Sequence, residues 1–365
     1  MRFPEFSGEW ESTPISTIAD IIGGGTPDTS VDEYWGGNIQ WFTPSEIGKE
    51  KYAYLSDRTI TEAGLKNSSA KLLPQGTVLL STRATIGECS IATAECTTNQ
   101  GFQSLVAKKN NVSSEFLYYI VAKIKREMLR RSCGSTFLEI SANELKKIHA
   151  NIPSKAEQEK LVSLLSLIDQ CIETQRKIIE KLESLIKGLC QTLFNFEEYS
   201  TYFLGDICSI TTGKLDANAM VENGKYPFFT CAEEVFSIDE YAFDAEALLI
   251  SGNGANLGYI HYYNGKFNAY QRTYVLDKFA IDINYVRLYL ETFLKYRIEQ
   301  EKNTGNTPYI VLGTLSKMKI KVPNTITQQK IIQSIATLKE KFSIEKQSLK
   351  KYEEQKRYLL SNLFI

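Results

Sequence analysis

Two short stretches hold amide and guanidinium side chains at matched places in the two halves of the chain, Asn99-Gln100 and Gln271-Arg272. Asn and Gln can pair bidentately with adenine, and Arg with guanine, through base edges in the major groove. Arg83 and Thr85 in one half, and Asn253 and Asn256 in the other, occupy a corresponding turn, with Lys214 as a further candidate cation. The residue types differ between the two turns, which suits two copies that read different sequences. For each residue taken alone, a satisfied turn or surface side chain is the plainer alternative.

Little else in the chain suggests catalysis. Only His149 and His261 could serve as histidine bases or ligands, and neither has a second ligand nearby. Zinc and histidine acid/base chemistry are poorly supported on that count. The seven cysteines are scattered with no CxxC pair, and read as reduced packing residues. Gly252-Asn253-Gly254-Ala255-Asn256-Leu257-Gly258 follows a strand pattern, but its spacing is GxGxxxG and no helical pattern follows. A strand-to-strand turn fits it better than a phosphate loop. Asn306-Thr307-Pro308-Tyr309 is similar to the Asn-Pro-Pro-Tyr tetrad of amino-methyltransferases, yet its repeat copy Ser135-Thr136-Phe137-Leu138 keeps none of that chemistry. Gly23-Gly24-Gly25-Thr26-Pro27 reads as a flexible turn, with no Lys-Ser/Thr to complete a Walker loop.

The elements that must position these residues occur twice. Gly134-Ser135-Thr136, Ile140, Leu145, Ile152-Pro153 and Gln158 are matched about 170 residues later by Gly305-Asn306-Thr307, Val311, Leu315, Val322-Pro323 and Gln328. Leu80-Ser81 answers to Ile250-Ser251, Asn99-Gln100 to Tyr270-Gln271, and Ile18-Ala19-Asp20-Ile21 to Leu204-Gly205-Asp206-Ile207. A period this long marks a duplicated domain with its following helix. The implied segments are 1–150, 151–195, 196–322 and 323–365. The first and third are mixed α/β, with short apolar strands such as Thr77-Val78-Leu79-Leu80 and Ala247-Leu248-Leu249-Ile250.

The second and fourth segments keep a seven-residue beat. In the second, Leu161, Ile168, Gln175, Leu182 and Leu189 hold one position, and Leu165, Ile172, Ile179, Ile186 and Leu193 the next. Leu164, Cys171, Ile178 and Leu185 would widen the stripe. In the fourth, Ile331, Leu338, Glu345, Tyr352 and Leu359 hold the first position, and Ile335, Phe342, Leu349 and Leu363 the second, with Lys356 in that apolar row. Such patterns predict long helices with a coiled-coil face, the first about 58 Å long and capped by Ser154 after Pro153. Antiparallel pairing would bring the polar breaks Gln175 and Glu345 together, fixing register at some cost in stability.

Composition sets bounds. Hydrophobic content of 43% and charged content of 23% over 365 residues place the chain among multidomain globular proteins. No apolar run approaches the roughly 18 residues of a membrane span, and the opening Met1-Arg2-Phe3-Pro4-Glu5 lacks an apolar signal core, so a cytoplasmic location is expected. The net charge of −1 gives no nucleic-acid footprint by itself. By segment the balance is −1 for 1–150, −4 for 196–322, 0 for 154–195 and +4 for 323–365. Any DNA binding must therefore come from local clustering or a basic partner.

Together these landmarks resemble the specificity subunit of type I restriction-modification systems. The carrying residues are Arg2-Phe3-Pro4-Glu5-Phe6 with Gly8-Glu9-Trp10-Glu11, Gly24-Gly25-Thr26-Pro27, Glu33-Tyr34-Trp35-Gly36-Gly37 with Trp41, and the two Pro-Gln helix starts at 153/158 and 323/328. The likeness spans essentially the whole chain. It implies an α+β fold: two target-recognition domains separated by two long helices that pair as an antiparallel coiled coil, with pseudo-twofold repetition. It also implies that each domain reads one half of a bipartite site in double-stranded DNA. Two modification (methyltransferase) subunits, which bind S-adenosylmethionine, would dock on the framework, and restriction-translocase subunits could join. The chain itself would carry no cofactor and no catalysis. Two departures are the acidic balance of 196–322, and Thr327 where the first copy has Glu157. The alternatives are a DNA methyltransferase with its own target domains and a scaffold that binds protein partners.

Overall fold

The computed structural model describes residues 2–83, 85–134, 138–301 and 309–363. The expected landmarks Ser135-Thr136 and Gly305-Asn306-Thr307-Pro308 lie outside the described residues. The chain divides into two compact units, Met1–Arg176 with Gln347–Ile365, and Lys177–Lys346. Among the described residues, no helix is long and apolar enough to cross a membrane.

The strands of unit 1 are β1 (Glu11–Pro14), β2 (Ala19–Gly23), β3 (Trp35–Phe42), β4 (Tyr52–Ala53), β5 (Arg58–Ile60), β6 (Val78–Leu80), β7 (Cys89–Ala92), β8 (Cys96–Thr98), β9 (Gln103–Ala107) and β10 (His149–Ile152). A five-stranded sheet has the order β2-β9-β6-β7-β4, beside a three-stranded sheet of order β5-β3-β8. The continuous apolar run of β6 follows from burial on both faces. Val78 and Leu80 pack in the main core with Phe116, Ile120, Ile124 and Met128 of the helix Ser114–Arg131. Leu79 enters a second core with Phe42, Leu73 and Phe102. Ser113 caps that helix by accepting the Phe116 N–H, and Arg130 and Arg131 lie in its last turn, where the helix dipole favours cations.

Unit 2 has the strands β11 (Ser200–Phe203), β12 (Ser209–Thr212), β13 (Tyr226–Phe229), β14 (Phe236–Ile238), β15 (Phe243–Ser251), β16 (Ile260–Ala269), β17 (Thr273–Asp277) and β18 (Lys319–Val322). Six form one sheet of order β12-β17-β15-β16-β13-β14. The helix Ile283–Gln300, capped by Asp282, packs Tyr285, Val286, Tyr289 and Leu290 into the main core with Leu248, Ile250 and Leu276.

Both units close in the same way. In unit 1, β1 pairs antiparallel with β10; in unit 2, β11 pairs antiparallel with β18. A four-residue helical turn follows each first strand, Ile15–Ile18 and Leu204–Ile207. Ile15 N–H bonds to Ile148 O, and Leu204 N–H to Met318 O. The structural counterpart of Leu204–Ile207 is therefore Ile15–Ile18, one helical turn before the expected Ile18-Ala19-Asp20-Ile21. Apolar residues recur in both stretches, so sequence matching alone slid by a turn; the backbone bonds fix the register.

The long helices run Lys155–Leu193 and Thr325–Leu363. Ser154 accepts the Glu157 N–H at 3.4 Å, and Asn324 accepts the Thr327 N–H at 2.9 Å. Gln158 and Gln328, both buried, reach back with Nε2 to the carbonyls of Pro153 (3.1 Å) and Pro323 (2.9 Å). Those carbonyls lie at buried chain reversals and need a donor. In unit 1, Leu161 and Leu165 of the first helix share a core with Leu359, Leu360 and Leu363 of the second. Asp169 meets Lys356 at 2.6 Å and Arg176 meets Glu353 at 2.7 Å, so the helices run antiparallel there. In unit 2, Ile186, Cys190 and Leu193 share a core with Ile331, Ile332 and Ile335.

Leu161, Leu165, Ile168, Ile172, Gln175, Ile179 and Leu182 are all buried, while Ile186 and Leu189 are half-buried. On the second helix Ile331, Ile335 and Leu363 are buried, and Leu338, Phe342, Glu345, Leu349, Tyr352 and Leu359 half-buried. The expected third row is corrected: Cys171 is exposed, Leu185 is 53% exposed, and Leu164 and Ile178 are only partly covered. A two-helix contact covers a narrow seam, and a wider stripe needs a third body against it. Cys133 is exposed as well, so two cysteines are not packing residues.

Candidate nucleic-acid interface

In unit 1, four segments converge around the central turn Asn99-Gln100-Gly101. The glycine turn after β2 is bound by Gly25 N–H to Thr98 O (2.8 Å), and the loop after β3 by Asn99 N–H to Phe42 O (3.1 Å). The loop after β6 is bound by Thr82 N–H to Gly101 O (2.8 Å), and the segment at 139–140 by Ile140 N–H to Thr82 O (3.2 Å). Asn99 Oδ1 accepts the Gly101 N–H at 2.8 Å, closing the central turn.

Unit 2 has a comparable set around Tyr270-Gln271-Arg272, with different bonds at its glycine turn. Gly213 N–H bonds to Thr273 O and Gln271 N–H to Leu215 O, which brings in the loop after β12. Tyr270 N–H bonds to Phe229 O, Gly252 N–H to Arg272 O, and Ile310 N–H to Gly252 O. The turn 252–259 links β15 directly to β16, strand to strand, with Gly254 and Gly258 at φ of +81° and +82°. Among the described residues, no group of His, Cys, Asp and Glu could hold a metal ion.

The glycine turns pack closely against the central turns, a constraint that the sequence reading of 23–27 did not include. A Cβ on Gly24 would strike the carbonyls of Asn99 and Thr98, and one on Gly213 those of Ala269 and Tyr270. Glycine is needed there for close backbone approach. Trp41 Nε1 also donates to Gly25 O at 2.9 Å, which pins the first turn.

All nine sequence-derived candidates lie in these turns, in two sets. In unit 1, Gln100 is exposed and its Oε1 accepts the Thr26 hydroxyl. Exposed Arg83 forms an ion pair with Glu139 at 2.8 Å, and the Thr85 hydroxyl meets Ser81 Oγ at 3.0 Å. In unit 2, Gln271 Nε2 donates to Asp216 Oδ1 at 2.7 Å, and Asn256 Nδ2 to Cys231 O at 3.3 Å. Asn253 forms a backbone bridge with Tyr309, whose ring is 61% exposed. Lys214 and Arg272 are exposed and, among the described residues, form no ion pair with a carboxylate.

Sequence reasoning missed Thr26, Glu139, Asp216 and the exposed ring of Tyr309. Thr26 and Asp216 could have been found from the repeat, since both follow a glycine turn that docks on the central residues. Asp28, in the first of these loops, is held below the ordinary carboxylate range by the Ser30 backbone N–H and hydroxyl. His261 is buried and faces Ala232 O at 2.9 Å, which ties the loop after β13 to β16. A cavity of about 380 Å³ in unit 1, lined by Lys123, Glu127, Arg131 and the β10 residues His149 to Asn151, shares no residue with these turns.

What each set offers is a rim of amides, hydroxyls and a few cations on turns held rigidly by main-chain bonds. That is equipment for hydrogen-bonded recognition rather than bond breaking.

Residues 7–184 and 196–354 each match the type I restriction modification DNA specificity domain. The chain belongs to that family. The specificity subunit of the type I restriction enzyme MjaIX from Methanocaldococcus jannaschii is 31% identical over 91% of this chain and 87% of its own length. The EcoDI specificity subunit of Escherichia coli is 40% identical over a shorter stretch, 39% of this chain and 31% of the relative. The crystal structure of the type I system S subunit from M. genitalium has the same fold, with a TM-score of 0.63 at 18% identity, covering 100% of this chain and 99% of that one.

Proposed function

We propose that this chain is the DNA sequence-recognition subunit of a type I restriction-modification complex and acts in the cytoplasm. Residues 1–150 and 196–322 are the two target-recognition domains, each reading one half of a bipartite duplex site. Helical segments 151–195 and 323–365 connect them and form the framework on which two modification subunits and the restriction-translocase subunits dock. S-adenosylmethionine belongs to the modification subunits, and methyl transfer takes place there. The candidate base contacts are Thr85, Asn99 and Gln100 in one half-site, and Asn253, Asn256, Gln271 and Arg272 in the other, with Arg83 and Lys214 as flanking cations.

One observation carries this reading. The same turns meet in both units, three of them by corresponding main-chain bonds, but present different side chains: Arg83 against Asn253, Asn99 against Tyr270, and Gly101 against Arg272. A fixed frame with changed side chains is what two readers of different half-sites require, while phosphate contacts would supply salt-dependent affinity.

Exchanging residues 1–150 for the corresponding domain of a relative, in the assembled complex, tests it. Mapping of methylated adenines should then show one half of the site changed and the other kept. A change in both halves, or in neither, overturns the modular reading. Adding one heptad within 161–189 should alter the gap between half-sites and leave their sequences alone.

A further inference from the structure

Arg58 opens β5, directly opposite Trp41 of β3. Its guanidinium carbon lies 3.5 Å from the centre of the Trp35 ring and 5.7 Å from that of Trp41. The two indoles meet edge to face at 5.0 Å. Both are anchored through their N–H groups to the loop that follows β2, Trp35 to Asp28 O at 3.1 Å and Trp41 to Gly25 O at 2.9 Å. The cation is thus fixed by stacking, on the same loop that carries Thr26.

Its place in the sheet puts it at the recognition end. Trp41 is followed by Phe42, whose carbonyl accepts the Asn99 N–H, so Arg58 stands two strands out from the central turn. Arg58 is exposed, and among the described residues it forms no ion pair with a carboxylate. Arg83, nearer the centre, is already neutralised by Glu139. A guanidinium stacked through its face keeps its N–H edge free for a bidentate acceptor such as phosphate, and loses little freedom on binding. Unit 2 lacks this device: the residue opposite Phe228, which matches Trp41, is Phe236.

Resting on the function proposed above, we infer that Arg58, held by Trp35, is a DNA-backbone clamp: it binds a phosphate flanking the half-site read by residues 1–150. Uncharged amides and hydroxyls occupy the centre of the turn cluster, where base edges are read, and the unpaired cation stands at its edge, where the backbone runs.

The test uses the full chain assembled with its modification subunits. Binding is measured across a salt series to a duplex carrying the mapped site and to a duplex of scrambled sequence. Arg58→Ala should weaken binding to both duplexes by the same factor, about three- to tenfold, and flatten the slope of log K against log salt by about 0.9. Arg58→Lys should restore most of the slope, because the charge remains. Trp35→Leu should weaken binding while keeping the slope, because the charge stays and only its placement is lost. An unchanged slope in Arg58→Ala overturns the clamp, as does a loss confined to one base pair of the mapped site. If the unaltered complex does not distinguish the two duplexes, the proposed function falls and the clamp with it. If it distinguishes them and Arg58→Ala behaves like wild type, only the clamp falls.

Discussion

The Tyr119 hydroxyl donates to Asp169 Oδ2 at 2.6 Å, joining the globular part of unit 1 to the first long helix. The other carboxylate oxygen receives Lys356 Nζ of the second long helix at 2.6 Å. Lys51 Nζ completes the group, donating to Tyr119 Oη at 3.0 Å and to Ser166 Oγ at 2.8 Å. Lys356 therefore sits in an apolar heptad row because it has a half-buried carboxylate to meet. Unit 2 places Lys339 at the position matching Asp169, where it pairs with Glu291, and adds a junction of aromatic rings at the end of the first long helix, Phe194 against Tyr285, Tyr289 and Phe293 at 5.2 to 5.7 Å.

Removing Asp169 leaves the Lys356 ammonium and the Tyr119 phenol without their shared acceptor, and takes the nearby negative charge away from Lys51. Asp169→Ala should cost about 2–4 kcal/mol, somewhat below a fully buried pair because Asp169 is 14% exposed. Tyr119→Phe should cost about 1.5–3 kcal/mol, the value of one hydrogen bond to a charged group. Urea unfolding measures both, and a cost under about 0.5 kcal/mol for Asp169→Ala would show that the network contributes little.

Phe194→Ala should cost about 3–5 kcal/mol, because a large ring is removed from a closed aromatic cluster. Its effect should not depend on salt, whereas that of Asp169→Ala should shrink at high ionic strength. Parallel urea titrations at low and high salt compare the two junctions.

Alkaline pH should destabilise the chain. Burial pushes the Cys89, Cys96 and Cys208 thiols up to about 12, and raises the Tyr118, Tyr119 and Tyr285 phenols. A group whose folded pKa is raised contributes stability that is fully present below its unfolded value. For thiols that value is about 8.5 and for phenols about 10, and the stability is lost as pH climbs towards the folded values. Lys51 has the opposite sign, since burial lowers its pKa, but it is one group against six. Melting temperature should stay level from neutral pH to about 8 and fall beyond about 9. Tyrosinate absorbance from these three residues should appear together with unfolding, and an early rise in the folded protein would contradict their burial.

Much of the fold is legible in the sequence, and for physical reasons. The heptad beat survives because a two-helix seam tolerates only apolar residues or rare polar breaks, so Leu161, Leu165, Ile331 and Ile335 declare themselves. Gln158 and Gln328 stand out as a matched pair because each satisfies a buried carbonyl at the same chain reversal. The central turns of the candidate site could be located by their repeat distance. What could not be read were partners set by tertiary register. Glu139 meets Arg83 only because two distant segments form a backbone bridge. Trp35 reaches Arg58 through an irregularity in β3, where both Trp35 and Ile39 lie opposite Ile60. No local spacing rule encodes such a bulge in advance. The third heptad row misled because a sequence shows apolar spacing but not whether a further body covers it.

The glycine turns offer a test that separates the two readers. Gly24→Ala should displace the turn carrying Thr26 and loosen Gln100, while Gly213→Ala should displace Lys214 and Gln271. Each should cost about 2–3 kcal/mol through backbone overlap. Methylation mapping should show relaxed sequence preference in one half-site only, a different half for each variant. Relaxation of the same half by both would mean that the two turn clusters do not act separately.

Glu139→Gln probes the electrostatics of the first turn cluster. The Arg83–Glu139 pair is substantially exposed, 44% and 37%, so its loss should change stability by less than about 1 kcal/mol. Its effect on DNA should be larger. With the carboxylate neutralised, Arg83 becomes available to a phosphate and a repelling charge is removed. Binding to a scrambled duplex should tighten several-fold, and the log K against log salt slope should steepen by about 0.9. Preference for the mapped site over the scrambled duplex should fall, because non-specific affinity gains more than specific affinity. An unchanged slope in Glu139→Gln would mean that Arg83 does not face the backbone, and would move it from the DNA contacts to the structural pairs of the turn.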